Sequence, residues 1–269
     1  MAPSDVLYKL PFGFAKAAVQ YKGADKSATL TDSGDIVGVT AHGFSVGDRI
    51  VFSSITSTTG ISTYTYYYVK TVPSADTFTI SATSGGSAQT FTTDGTATLA
   101  KLYELRLKLA NKITSTADRK DVNYEGDDSI IKVTNLQSIG FNFDSDSFPI
   151  GAHAGLFGTT EQTTGLPDSY TSAYGLFGAN ERVGKTCGFW GEGSVTSVTS
   201  AGVQSTKTAR LWFPLGLITP TKAIELTTSD KPSAWQYAYN TTEMSPTVDV
   251  MGVALPSNLI GFPVIYLDK

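Results

Sequence analysis

The residues of this chain that could do chemistry are few and scattered. Ala179-Asn180-Glu181-Arg182-Val183-Gly184-Lys185-Thr186 fits the relaxed pattern of a phosphate-binding loop, with Ala in place of the first glycine. Such a loop works by aiming backbone N–H groups and a helix N-terminus at phosphates. The residues that follow, Cys187-Gly188-Phe189-Trp190-Gly191, do not continue a helix, and no hydrophobic strand precedes the loop. The stretch is read as structural, and no nucleotide is expected there. His42 and His153 are the only histidines, and with Cys187 they make no recognisable zinc spacing. His42 stands in a turn and His153 on an expected helix, and both are read as structural rather than as catalytic bases. The acidic run Glu125-Gly126-Asp127-Asp128 lacks the alternating oxygen ligands of a calcium loop and reads as a solvated acidic loop. Asn240-Thr241-Thr242 matches a glycosylation acceptor, but no secretion signal stands behind it. No catalytic residue, cofactor or metal ligand is expected, and the chain is not read as an enzyme.

Composition bounds the class. With 269 residues, one core plus an insert, or two domains, is the expectation. A hydrophobic content of 41% is ample for a core. The net charge of −4 gives no hint of a polybasic partner site or of general nucleic-acid affinity. Only 16% of residues are charged, so much of the surface must be Ser, Thr, Gly and Asn. The lone Cys187 admits no intramolecular disulfide and reads as a buried free thiol. Met1-Ala2-Pro3-Ser4-Asp5 has neither a basic region nor a long apolar run, so no signal peptide is expected. No window approaches about eighteen consecutive apolar residues, so no membrane helix is expected either. Synthesis and folding in the cytoplasm is the default.

The elements are mostly strands. Between residues 36 and 99, five short runs rich in Val, Ile, Thr, Tyr and Phe follow one another: 36–39, 49–52, 64–69, 77–80 and 89–92. Turn chemistry separates them at His42-Gly43-Phe44-Ser45-Val46-Gly47-Asp48, at Pro73-Ser74-Ala75-Asp76 and at Ser84-Gly85-Gly86-Ser87. This is a self-contained β module, a small barrel or sandwich. After it, Tyr103, Leu105, Leu107 and Leu109 alternate with Glu104, Arg106 and Lys108, which predicts a half-buried strand. Residues 114–128 read as a long polar loop, and 130–133 and 138–143 as the next strands. One short helix is expected, with Ser147 as cap, Pro149 in its first turn, Ile150, Ala154 and Phe157 on one face, and Gly158 past its end. Strands are then expected at 189–195, 209–214, 215–219, 223–226, 234–239, 248–253 and 260–266.

Two resemblances rest on these features. The run from His42 to Phe52, with Tyr66-Tyr67-Tyr68-Val69 and Pro73-Ser74-Ala75-Asp76-Thr77-Phe78-Thr79-Ile80, resembles a small β module of tailed-bacteriophage virion proteins. The flanking parts, 1–35 and 100–269, resemble the major tail-tube protein of long, flexible-tailed (siphovirus-type) bacteriophages. That second resemblance rests on feature order: alternating strands around an acidic loop, one short helix, then a strand carrying Trp212-Phe213-Pro214. A module that begins after only about 35 residues departs from the usual tail-tube pattern. The resemblance implies a mainly β, tail-tube-type β-sandwich or barrel with one short α-helix, formed by 1–35 and 100–269, with the module at 36–99 inserted. It implies homo-hexameric rings stacked into a tube around a tape-measure protein, with tail terminator and baseplate proteins at the ends. DNA would pass through without specific binding. The location would be the virion tail, assembled in the host cytoplasm, with no membrane partner. The alternatives are another tail component (terminator, distal-tail or baseplate protein) and a secreted adhesin or glycan-binding β module, the latter favoured by a Tyr/Ser/Thr-rich surface.

Within that reading two groups of residues are candidates for function. Glu125, Asp127 and Asp128 would face the lumen or the gap between rings, where like charge keeps DNA from sticking. Leu7, Leu10, Phe12 and Phe14 near one end, and Phe262 and Ile265 near the other, crowd around Pro and Gly without a regular period. They would form a sizeable apolar patch if left exposed, so they pack on their own core or dock as assembly arms on a neighbour.

Overall fold

The computed structural model describes residues 7–9, 14–126, 129–147, 156–157, 161–162, 173–174, 185–198, 204–220, 235–241, 246–257 and 264–267. Its strands are β1 (Leu7–Lys9), β2 (Phe14–Lys22), β3 (Lys26–Thr31), β4 (Ile36–Gly38), β5 (Arg49–Thr56), β6 (Tyr66–Ser74), β7 (Thr77–Ser81), β8 (Gly95–Gly126) and β9 (Ser129–Ser147). The later ones are β10 (Glu161–Gln162), β11 (Ala173–Tyr174), β12 (Lys185–Val198), β13 (Gln204–Pro220), β14 (Trp235–Thr241) and β15 (Val264–Leu267). The short helix expected over 147–158 lies outside the described residues, except for Ser147, which ends β9 instead of capping a helix, and for Leu156 and Phe157, which are fully buried. The protein is mainly β and forms two compact units. One comprises Gln20–Glu104 and Thr247–Pro256; the other comprises Met1–Val19, Leu105–Pro246 and Ser257–Lys269.

The unit built on Gln20–Glu104 is a closed, six-stranded antiparallel barrel. β8 pairs β3, β3 pairs β4, β4 pairs β7, β7 pairs β6, β6 pairs β5, and β5 returns to β8. Period-two alternation explains why these strands close. Ala28 and Leu30 of β3, Ile50 and Phe52 of β5, Tyr67 and Val69 of β6, Phe78 and Ile80 of β7, and Ala97 and Leu99 of β8 point into one core. Of the intervening residues, Ser27, Thr29 and Thr96 are exposed, whereas Val51, Ala100 and Leu102 are buried in a second, outer cluster. Closure leaves no unpaired strand edge on the ring. Two residues, Ala75 and Asp76, join β6 to β7, as the Pro73-Ser74-Ala75-Asp76 signal implies. The turn over residues 42–48 places Gly43 and Gly47 at φ of 65° and 89°, where a side chain would be strained.

Two of the strand expectations here are corrected. Residues 89–92 form no strand. Gln89 donates from its Nε2 to Gly60 O (2.5 Å), Phe91 N–H donates to Asp35 Oδ1 (2.7 Å), and the Phe91 ring is buried in the barrel core. The Gly60 carbonyl and the Phe91 N–H are thereby taken up outside any ladder. The wall is completed instead by β3 and the start of β8. Likewise 248–253 form no strand. Asp249 and Gly252, the latter at φ 79°, turn the chain back so that Val248 bridges Ala254.

In the other unit, β12 pairs β1 and β13, and β13 pairs β15 near its start and β14 near its end. β14 then pairs β9, and β9 pairs β8. The core has Phe189, Phe213 and Tyr239 with ring centroids 5.7–6.3 Å apart, in the range of favourable aromatic packing. The Tyr239 hydroxyl donates to the carbonyls of Cys187 and Phe213 (3.4 Å each), so its buried polar end is satisfied. Gly216 has no side chain because a Cβ there would strike the Tyr239 ring. The expected loop over 114–128 is corrected to strand as far as Gly126: β8 continues to that residue and pairs with β9, with a register shift between Asp118 and Arg119. The charged residues Asp118, Arg119, Lys120, Asp121 and Glu125 misled the reading, although Thr114, Thr116, Val122 and Tyr124 suit a strand. Tyr103 is also placed differently. It is exposed rather than on the inner face, and stacks on Tyr21 at 5.3 Å and 12°.

Candidate functional site

Of the groups that chemistry would need, His42, Lys185, Thr186 and Cys187 are among the described residues. His42 is buried against Phe44 and Phe78. Its Nδ1 accepts the Phe44 N–H (2.8 Å) and its Nε2 faces Ser74 O at 3.2 Å, so the proton belongs on Nε2. Both ring nitrogens are thus used in closing the turn. Cys187 is a fully buried free thiol, and burial pushes its pKa well above the usual thiol range. Lys185 and Thr186, which would open the helix of a phosphate-binding loop, instead begin strand β12 opposite Ile218 and Leu217. His153 lies outside the described residues. Among the described residues no three His, Cys, Asp or Glu side chains gather as a metal would need, and no helix is long and apolar enough to cross a membrane.

The candidate assembly residues divide. Glu125 lies in β8 opposite Ile130, one step before the Gly126–Ser129 pair that closes the β8–β9 hairpin. Asp127 and Asp128 lie outside the described residues. Of the acidic run, Glu125 is therefore a strand residue rather than a loop residue. Leu7 lies in β1 opposite Val198 of β12, Phe14 opens β2, and Ile265 lies in β15 opposite Leu211 of β13. Short stretches of both end segments are therefore strands paired within their own unit. Leu10, Phe12 and Phe262 lie outside the described residues.

Two polar constellations escaped sequence reasoning. In the barrel unit, residues 247–256 lie against the outside of β5, β6 and β8, where Met251, Val250 and Val253 pack on Val51, Ala100, Leu102 and Tyr66. The clip is fastened by Asp249. Its Oδ1 accepts the N–H groups of Met251 (2.8 Å) and Val253 (3.1 Å), and its Oδ2 accepts the Tyr66 hydroxyl (2.6 Å). Burial and the neighbouring carboxylate hold the Tyr66 hydroxyl protonated far above its usual range. The available signal was Asp249 three residues before Gly252, an Asx-turn pattern. In the other unit Glu192 receives Arg210 (2.8 Å) and Lys16 (2.9 Å), and the Arg210 guanidinium lies 4.5 Å over the Trp190 ring. Hydrogen bonds from Arg210 and then Lys16 lower the Glu192 pKa. Comparison with protein-family models, with curated proteins and with solved structures finds no match to this chain.

Proposed function

We propose that this chain is a structural virion subunit, the major tail-tube protein of a siphovirus-type bacteriophage, which works by assembly rather than catalysis. The observation that carries the reading is the β8–β9 ribbon. Residues 117–126 of β8 and 129–139 of β9 pair with each other beyond the reach of β14, which meets β9 only over 140–145. A lone two-stranded hairpin is marginally stable in water. Its outer edges offer N–H and C=O groups that another copy can take up. Six subunits joined by such heterologous contacts would close a ring, and rings that stack without closing would give a tube. The tape-measure protein and later DNA would occupy the lumen, with terminator and baseplate proteins at the ends. Glu125, with Asp127 and Asp128 close to it in sequence, would repel DNA from the wall.

Negative-stain microscopy of the purified chain tests this. Hollow tubes of stacked rings are the expected result. Single rings would favour a terminator, distal-tail or baseplate role, and monomers at high concentration would sink the assembly reading altogether.

A further inference from the structure

On the outer wall of the barrel, strand register sets hydroxyl side chains in rows. Thr56 of β5 lies opposite Thr96 of β8, Thr96 opposite Thr29 of β3, Thr29 opposite Gly38 of β4, and Gly38 opposite Thr77 of β7. A second row runs through Ser54, Thr98 and Ser27. These positions alternate with the inward-facing Ala28, Ala97 and Leu99. The rows line a concavity of about 620 Å³, within the range of roughly 300–1,000 Å³ typical of small-ligand sites.

Three properties define what fits it. The lining is almost uncharged: Asp76 is its only ionisable residue, although the same unit carries Arg49, Lys101 and Glu104 on other surfaces. A solvated face must be polar, but it need not be neutral. Next, the hydroxyls of Ser27, Ser54, Thr56, Thr96 and Thr98 bond to no group among the described residues, and a hydroxyl both donates and accepts. Finally, the floor is kept open at Gly38, where a Cβ would come within 2.6 Å of Thr29 Oγ1.

A ligand complementary to this is neutral and carries many hydroxyls of its own. Neighbouring strands lie about 4.8 Å apart, close to the length of one sugar ring in a linear polysaccharide. A glycan laid across the strands therefore meets the hydroxyls of one strand per sugar. An extended peptide would instead seek an unpaired strand edge, which the closed barrel does not offer. Anionic ligands find no cation in the lining. We propose that this groove binds a short segment of a neutral glycan. The proposal stands independently of the tail-tube reading.

Affinity electrophoresis of the full chain through gels containing dextran, mannan or amylose, together with an array of neutral and acidic glycans, tests it. The wild-type chain should be retarded by at least one neutral glycan. The combined T29V, T96V and T98V substitutions keep strand-forming shape and remove three hydroxyls, and should weaken apparent affinity about tenfold or more. T96K, which puts a charge on an exposed position in the groove, should abolish retardation while leaving the circular dichroism spectrum unchanged. T71V, on β6 outside the lining, should bind as wild type. A wild-type chain that is retarded by no neutral glycan, one that binds acidic glycans better, or a T96K variant that is retarded equally would each overturn the proposal.

Discussion

At the scale of single residues, the interactions that matter most join segments far apart in the chain. Asp249 lies 183 positions from Tyr66, and their bond fastens the 247–256 clip to the barrel. Hydrogen bonds to a charged group contribute roughly 1.5–3 kcal/mol, and a buried donor left without a partner is costly as well. Tyr66→Phe is expected to destabilise the barrel unit by about 1.5–3 kcal/mol in urea titration. Asp249→Ala should do more, because it also releases two backbone N–H groups; hydrogen exchange at Met251 and Val253 should then rise to the rate of an open loop. Unchanged exchange at those two amides would show that the carboxylate does not hold the clip. Glu192 makes a prediction with a pH sign. Its folded pKa is lowered by Arg210 and Lys16, so its contribution to stability is present above the unfolded glutamate value of about 4.3 and is lost as pH falls through the lower folded value. Glu192→Gln should be less stable than wild type at pH 7. The gap should close on acidification below about pH 4.3. A gap that stays constant with pH would mean that packing, not charge, is what Glu192 supplies.

At the scale of elements, the strands with a clean alternation were legible and the connections between distant ones were not. Ile50, Phe52, Tyr67, Val69, Phe78 and Ile80 all line the barrel core as their period-two spacing implies. β3 was missed because Lys26-Ser27-Ala28-Thr29-Leu30-Thr31 has only Ala28 and Leu30 as its inward face, too weak a signal without its partners in β4 and β8. Residues 89–92 have strand composition, but loop contacts to Asp35 and Gly60 take them instead. The groove was illegible because register, not composition, brings Thr29, Thr56 and Thr96 side by side. Glu125 was seen, yet its setting in a strand was hidden by polar neighbours that suit either a loop or a solvated strand. The β8–β9 ribbon carries two predictions. Replacing residues 118–138 with a two-residue Asn-Gly turn shortens it beyond the reach of β14. The variant should keep its circular dichroism spectrum but sediment as subunits or short oligomers; long tubes from it would remove the ribbon from the joint. Reversing Glu125, Asp127 and Asp128 to Lys should leave tubes intact but make them retain DNA in filter binding at low salt, with retention falling steeply as salt rises. Tubes that ignore DNA would place these residues away from the lumen.

At the scale of the whole molecule, the two units are interleaved along the chain. The barrel unit takes Gln20–Glu104 and then, much later, Thr247–Pro256, so it is not one uninterrupted insert. This changes what an excision must remove. Taking out residues 37–98 alone would strand β3, whose partners are β4 and β8. It would also leave Val250, Met251 and Val253 without the Val51 surface they pack against. A bared cluster of that kind favours aggregation. The better cut follows the unit's own ends. Gln20 Nε2 donates to Glu104 Oε2 at 3.2 Å, and Gly23 N–H donates to Lys101 O at 2.9 Å. The entering and leaving chains therefore run side by side, and a short Gly/Ser linker from Gln20 to Glu104 spans the gap with little closure entropy. Combined with V250S, M251S and V253S, which make the orphaned clip polar, this deletion should yield a folded protein with the tyrosine and tryptophan fluorescence of the remaining unit. The 37–98 deletion, by contrast, should be insoluble. Under the proposed function the trimmed chain should still polymerise into tubes, because the ribbon of β8 and β9 lies wholly in the unit that remains. A trimmed chain that folds but gives only monomers would make the barrel part of the joint between subunits, and its hydroxyl groove would then have to be weighed as a contact surface between copies.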